Sequence, residues 1–500
     1  MPRKQRNLDG DLSLRRRLRE FTWILLFLML YMASCAFNFG YDVGNFAGVQ
    51  GMQGFAKRFG EYNPKTGVWA LPAWLSSLMT SLPFIGKALG AMSCGWIAES
   101  GVLLQITATT AGQFTLGRFI SFGMTGMTIV VVPVYLGEIS PKSLRGMMTA
   151  TLQLMIVFGQ VVASLVNFGT QNITSDKGWQ TSVGLQFITP FILLAFLPLV
   201  PELLSKDRLE EAKKNFRKIH KKGVTDQEIN LEIEALQHAN SIHGKGSWAE
   251  VFDKQNKIRA TVAVIAMFGQ QITGQAFQSQ YSVVFFQQQG FRSQAFLFSV
   301  LGNVVGLVCL IMTLFVVDSV GRRPLLLSGG FLMGVFLFII GGVSTVHDPN
   351  QGEKNAMVAS LILYSAAYYT SWAPMSYIVV GEAPASRVKE KTNLLASVIS
   401  ILTTFVTSFT VPYLLSAPYA TLGGKIGFIY GSICFVMVVV AWFLIPELKG
   451  RSLEEVDQLF MSGESLWKFG KVRMKPVEQI HSEEVGNNLQ VRAKSEHIEE

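Results

Sequence analysis

Charge is scarce in this chain, and where it occurs it is bunched. Only 15% of the 500 residues are Asp, Glu, Lys or Arg, against 49% hydrophobic, which excludes an ordinary soluble globular protein. Cysteine is nearly absent. The four present (Cys35, Cys94, Cys309 and Cys434) sit in apolar runs without C-x-x-C spacing, so neither a disulfide framework nor a structural zinc site is expected. All six histidines fall in polar segments, which argues against a histidine metal site or proton relay inside the apolar runs. There is no nucleophile–base pair, metal cluster or phosphate-binding loop at a working spacing, so an enzyme is not expected, nor is a cofactor. The formal charge of +9 comes mostly from basic residues flanking apolar runs, where they orient membrane helices, and does not imply nucleic acid.

What the chain has is length of apolar sequence. Between Arg118 and Glu138 lie nineteen residues without a charge, enough to cross a hydrocarbon core of about 30 Å as a helix. An arginine inside such a span costs roughly 2.5–3.5 kcal/mol on insertion scales, so Arg118 calls for a partner and a task. In the first span, Asp42 lies deep among Gly40, Gly44 and Gly48. Glycines every four residues leave one helix face bare for close packing, so Asp42 reads as a buried carboxylate.

The apolar runs are laid out as two sets of six. Spans 1 and 2 lie at about 22–48 and 76–97, with Lys87 in the second either lining a wet cavity or snorkelling. The third is cut short. Only 101–108 is largely apolar before the polar 109–113, and eight residues at 1.5 Å each make about 12 Å of helix. Span 4 is the Arg118–Glu138 stretch, and spans 5 and 6 follow at about 147–166 and 185–200, separated by a loop with the glycosylation-type triplet at Asn172. Residues 203–258 are rich in Lys, Arg, Glu and Ala at helical spacing and read as a basic cytoplasmic linker. Spans 7 to 12 lie at about 260–286, 295–317, 325–343, 356–380, 393–415 and 427–445. The halves echo each other, E-I-S-P-K-S-L-R at 138–145 against E-A-P-A-S-R at 382–387. The expected fold is an all-α polytopic membrane protein with the major facilitator layout of two six-helix bundles, its third span truncated. The expected division is a cytoplasmic tail (1–21), an amino-terminal bundle (22–202), the linker (203–258), a carboxy-terminal bundle (259–445) and a cytoplasmic tail (446–500).

Six motifs then carry a resemblance. They are G-Y-D at 40–42, G-R at 117–118, P-V-Y-L-G-E-I-S-P-x-x-x-R-G at 133–146, Q-Q-x-x-G at 270–274, D-x-x-G-R-R at 318–323 and P-E-x-K-G-R-S-L-E-E at 446–455. In this order, over about residues 20–460, the chain resembles the sugar porter family of the major facilitator superfamily, and most of all its fungal members. The resemblance implies a plasma-membrane transporter, both termini cytoplasmic, importing a hexose or α-glucoside with a proton by alternating access. Its partners are then sugar, proton and lipid bilayer, with no obligate protein partner. Asp42 matches the proton-taking aspartate and Arg118 the arginine that pairs with it. An opposite charge beside a carboxylate favours its ionised form, and separation removes that preference, so a moving pair can load and release a proton. Gln153, Gln270 and Gln271 match glutamines that bond sugar hydroxyls, and amides suit that work because each has donors and an acceptor. Gln275 and Tyr281 extend this set along span 7. Trp372 and Tyr377 lie where an aromatic stacks on the sugar. Glu138, Arg145, Asp318, Arg322, Arg323, Glu382, Arg387 and Glu447 match a cytoplasmic salt-bridge lock. No metal is implied.

Three departures bear on function. The G-R-R packet between spans 2 and 3 is missing with half of span 3, Ser100 running straight into Gly101. The P-E-S-P-R-W-L that follows span 6 in the family is reduced to Pro201-Glu202-Leu203-Leu204. The asparagine expected five residues after Gln271 is Ala276, leaving Gln275 or Gln278 to replace it. Alternatives to the symporter are a non-transporting sugar receptor, a facilitative uniporter, or a transport-defective variant. Compact losses with good sequence on both sides point to a splicing or gene-prediction artefact. The full-length transcript across codons 95–105 and 198–208 is therefore expected to restore the missing packets, and a transcript matching the chain as written would contradict this.

Overall fold

The computed structural model describes residues 23–63, 68–90, 98–139, 145–196, 246–291, 294–449, 451 and 453–472. The amino-terminal tail, most of the basic linker and the end of the carboxy-terminal tail lie outside the described residues. The first half holds α1 (Trp23–Val49), α2 (Gln53–Phe59), α3 (Ala73–Gly90), α4 (Ala98–Ile106), α5 (Ala111–Ile139), α6 (Arg145–Thr170), α7 (Asp176–Gly184) and α8 (Ile188–Phe196). A two-stranded antiparallel ribbon, Glu61–Asn63 against Val68–Ala70, follows α2. The second half holds α9 (Trp248–Val251), α10 (Lys254–Ile272), α11 (Gln275–Gln288), α12 (Ala295–Val320), α13 (Arg322–Val343), α14 (Gln351–Thr370), α15 (Trp372–Glu382), α16 (Lys389–Leu415), α17 (Ile426–Leu444) and α18 (Leu453–Met461).

Among the described residues, six helices are long and apolar enough to cross a membrane. Their outer faces are apolar as well as exposed. On α12, Leu301, Val304, Val308, Met312 and Phe315 form a helical stripe, and Met312 and Phe315 keep 61% and 60% of their surface open. Water would not tolerate so large a contiguous apolar face on a monomer, whereas lipid does.

The bare glycine face of α1 meets α6. A Cβ on Gly40 would lie 1.9 Å from the Ile156 carbonyl oxygen, one on Gly44 2.9 Å from the Gln160 Cα, and one on Gly48 2.3 Å from the Asn167 amide. The two backbones therefore touch, and this contact sets the depth at which Asp42 sits. The two halves meet in a cross-paired way. The second span of the first half (α3) packs on the fifth of the second (α16), and the fifth of the first (α6) on the second of the second (α12). That exchange is what two halves related by a twofold axis along the membrane normal produce.

Two spans that read as continuous in sequence are broken. Span 7 splits into α10 and α11 at Thr273–Gly274, where Gly274 takes φ of +103°, a left-handed conformation that favours glycine. The Thr273 carbonyl freed there accepts from the Tyr364 hydroxyl at 3.1 Å. Span 10 splits into α14 and α15 at Ser371. Pro374, in the first turn of α15, has no N–H to donate and costs nothing in a turn whose amides lack helical acceptors. In span 3 the described residues form the nine-residue α4, roughly 13 Å of rise, which is tied to α5 by the Gln105 amide donating to the Ser121 hydroxyl at 3.0 Å.

The α1–α6 contact yields a test. Gly40→Val places a side chain in the Ile156 backbone and is expected to cost about 1–3 kcal/mol or more of packing. The readout is loss of monodisperse protein in detergent. Gly112→Ala, at a glycine with open space around it, is expected to behave as wild type.

Candidate functional site

Asp42, on α1, is 4% exposed, and Arg118, on α5, is 2% exposed. The Arg118 Nη2 donates to Asp42 Oδ1 at 3.5 Å. The same oxygen accepts from the Gln186 amide at 3.2 Å, in the 3-10 turn between α7 and α8. A charge-assisted N–H···O bond is normally about 2.7–2.9 Å, so this pair is loose. Arg118 has other holds. Its Nη1 donates to the Met79 carbonyl at 3.1 Å, and its guanidinium lies 3.9 Å from the Phe46 ring centre and 5.2 Å from that of Phe122. Each desolvated ring contact contributes about 2 kcal/mol. The guanidinium is thus anchored whether or not the carboxylate is there, while the carboxylate relies on two side-chain donors. Gln186 was not singled out from sequence, because a lone glutamine near a span end carries no pattern.

A cavity lies between the halves. Its polar lining includes Gln153 and Gln160 from α6, Gln270, Gln271, Gln275 and Gln280 from α10 and α11, and Tyr377 from α15. The amides are linked. Gln271 donates to the Gln270 Oε1 at 3.0 Å, and Gln270 to the Ala373 carbonyl at 2.8 Å. Tyr369 donates across the cavity to Gln160 Oε1 at 2.8 Å. Gln275 donates to Ser279 at 2.9 Å, but its buried Oε1 has no partner among the described residues. A buried acceptor left open in a polar cavity marks where a donor from a bound molecule can go. Of the two candidates to replace the missing asparagine, Gln275 lines the cavity and Gln278 does not.

Two of the sequence-derived residues sit elsewhere. Trp372 is fully buried within the second half, packed on Gly269 and Gly330. Tyr281 is buried and donates to the Ser408 carbonyl at 2.8 Å. The aromatic side chains lining the cavity are the expected Tyr377 on α15, with Tyr368 and Tyr369 on α14, Phe39 on α1 and Phe84 on α3. Tyr368 and Tyr369 carry no motif that singles them out in the sequence.

The cavity communicates with the ion pair. A smaller pocket beside it is lined by Arg118 and Thr80, and shares Val43, Phe84 and Gln280 with the large one. At the ribbon end the halves are fastened by hydrogen bonds from Gln50 to the Gln280 carbonyl, Gln287 to the Gly51 carbonyl (2.9 Å) and Ser77 to the Phe409 carbonyl (2.6 Å). Beneath them in the first half, Phe46, Phe55, Phe59, Phe114 and Trp179 pack edge to face.

At the opposite end lies the charge cluster. Arg322 grips Glu382 with two bonds, Nη2 to Oε1 at 2.7 Å and Nε to Oε2 at 3.2 Å. Glu447 accepts from the backbone N–H groups of Arg322 and Arg323, both at 3.1 Å, and so caps α13. Arg323 donates to the carbonyls of Trp442 and Trp467. Arg387 pairs with Glu250 at 2.9 Å. The Ser247 backbone N–H first, and Arg387 after it, hold the Glu250 carboxyl below the usual glutamate range. Asp318 lies near the end of α12, Glu138 near the end of α5 and Arg145 at the start of α6, and their side chains lie outside the described residues.

With this geometry in view, comparison with known proteins is informative. The family model described as "Sugar (and other) transporter" matches residues 28–101 and 100–460. The match is broken at the junction where span 3 is short. The hexose transporter HXT8 of Saccharomyces cerevisiae is 27% identical over 88% of this chain and 83% of its own length. A galactose transporter of the same yeast is 29% identical over 91% and 84%. The major facilitator-type transporter ecdD of Aspergillus rugulosus is 27% identical over 89% and 88%. Among solved structures, a partially occluded inward-open conformation of the xylose transporter XylE from E. coli superposes with a TM-score of 0.69 at 20% identity, covering 86% of this chain and 100% of that one. The proton:xylose symporter XylE bound to 6-bromo-6-deoxy-D-glucose gives 0.66 at 20%, covering 87% and 99%. The fold is that of the major facilitator superfamily, and the chain belongs to its sugar (and other) transporter family, a multi-pass membrane transporter and not an enzyme.

Proposed function

We propose that this protein imports a hexose or α-glucoside together with a proton across the plasma membrane, by alternating access. The observation that carries the proposal is the amide-lined cavity between the halves, joined through Val43, Phe84 and Gln280 to a loose buried Asp42–Arg118 pair. Sugar hydroxyls need many donors and acceptors in a small volume, and glutamine side chains supply both. Protonation of Asp42 from outside removes the charge that Arg118 and Gln186 hold. Arg118 stays on Met79 of α3 and Phe122 of α5, while α1, which carries Phe46 as well as Asp42, loses its ionic tie to α5. The few hydrogen bonds at the ribbon end are the ones that opening toward the outside must break. Names of the relatives support this substrate class, since two of them are called hexose and galactose transporters.

In this proposal both termini, the 203–258 linker and the 446–500 tail are cytoplasmic, and 22–202 and 259–445 are the moving halves. The lock comprises Arg322, Arg323, Glu382, Glu447 and Arg387 with Glu138, Arg145 and Asp318, and the described pairs among these all lie within the second half. A second reading, a chain that folds but does not transport, draws on the nine-residue α4 and on the family match broken beside it.

Asp42→Asn is expected to reduce sugar accumulation to the level of the outside concentration while leaving exchange of sugar for sugar. Concentrative uptake in that variant, measured with labelled sugar in intact cells, would rule out Asp42 as the proton site. Gln275→Ala is expected to raise KM for the sugar by about 3- to 10-fold, the loss of one hydrogen bond, with little change in maximal rate. An unchanged KM would remove Gln275 from the sugar site.

A further inference from the structure

One charged side chain in the cavity has no part in proton coupling. Lys87, on α3, is 4% exposed yet lines the cavity. Its ammonium lies 3.4 Å from the centre of the Phe39 ring. Among the described residues no carboxylate lies within 4 Å of it, and no hydrogen bond leaves its Nζ. An ammonium has three donors, and a ring face occupies one direction. Buried charges are otherwise paired. Asp42, the acid nearest in function, is already engaged by Arg118 and Gln186. Among the described residues, the others lining the cavity are amides, hydroxyls and apolar groups, so Lys87 is the single ionic group among them. The cavity thus offers neutral polar partners for hydroxyls and one buried amine whose ammonium form an incoming carboxylate would stabilise.

We propose that the preferred substrate is an acidic hexose, whose ionised carboxylate docks on Lys87 while its hydroxyls bond the glutamines. This rests on the sugar-transport reading above and narrows it. One ammonium balances a monocarboxylate and leaves a phosphate dianion half uncompensated, so a sugar acid fits and a sugar phosphate does not.

The test compares D-glucuronate with D-glucose, which differ only at C6. Binding to the purified full-length protein is followed by thermal shift and intrinsic tryptophan fluorescence at pH 7. Glucuronate is expected to bind the wild type at least about tenfold more tightly, since a charge-assisted bond is about twice as strong as a neutral one. Lys87→Met is expected to abolish that preference and Lys87→Arg to retain it in part. Glucose binding as tightly as glucuronate, or an acid preference persisting in Lys87→Met, overturns the proposal. The wild-type comparison decides on its own if the methionine variant does not fold. Glucose binding without an acid preference leaves the sugar-transport reading standing, whereas failure of both ligands to bind overturns the proposal and the glucose-type hexose form of that reading.

Discussion

A carboxylate and a guanidinium shut away from water, 3.5 Å apart, constrain the whole first half of this molecule. Neither charge can be buried alone without a cost of several kcal/mol, so the helices that carry them must stay close. The glycine face of α1 against α6 fixes Asp42 at depth, while Met79 of α3 and the Phe122 ring of α5 hold Arg118 from the other side and Phe46 of α1 packs on its guanidinium. The two anchors are unequal. Arg118 is held by groups that do not change charge, and Asp42 is held by Arg118 and Gln186. A change of protonation therefore acts on α1 and leaves α5 in place.

The cavity between the halves inherits its position from the same arrangement. Val43 follows Asp42 directly, and it lines both the cavity and the smaller pocket that Arg118 faces. Gln280 does the same from the second half, and its backbone carbonyl takes the Gln50 bond that helps close the ribbon end. Ion pair, cavity and closure are thus within one or two side chains of each other. The breaks at Gly274 and Ser371 sit beside the cavity in two of the three spans that line it from the second half. A broken helix can move one segment without dragging the other, which suits spans that must alternately cover and uncover a central site.

How far all this was legible in the sequence depended on the kind of signal. Glycine spacing on α1 needed no tertiary information, because a face without side chains can only be a packing face. Glutamines at 270, 271 and 275 were legible because so many amides in one apolar span exceed what helix–helix bonding uses, and all three line the cavity. The helix breaks were not legible, since the apolar pattern runs through both 273 and 371 unchanged. That is also why Trp372 was placed toward the cavity and found in the core of the second half. A bend at the preceding residue turns the helix face. Ion-pair choice at the charged end was likewise beyond sequence. Arg387 meets Glu250, which lies 137 positions away, and only the folded chain brings the linker end to that helix. Lys87 was ambiguous between cavity and interface until its ammonium was found over Phe39.

The central claim is that sugar and proton move together through the Asp42–Arg118 pair. It is tested most directly by reconstituting the full chain in liposomes containing a pH-sensitive dye and adding sugar on one side with no proton gradient. Coupling predicts that the sugar gradient drives protons inward and acidifies the lumen, with the signal abolished by a proton ionophore. Sugar entry with no change in lumenal pH would contradict the account and leave a carrier without proton coupling.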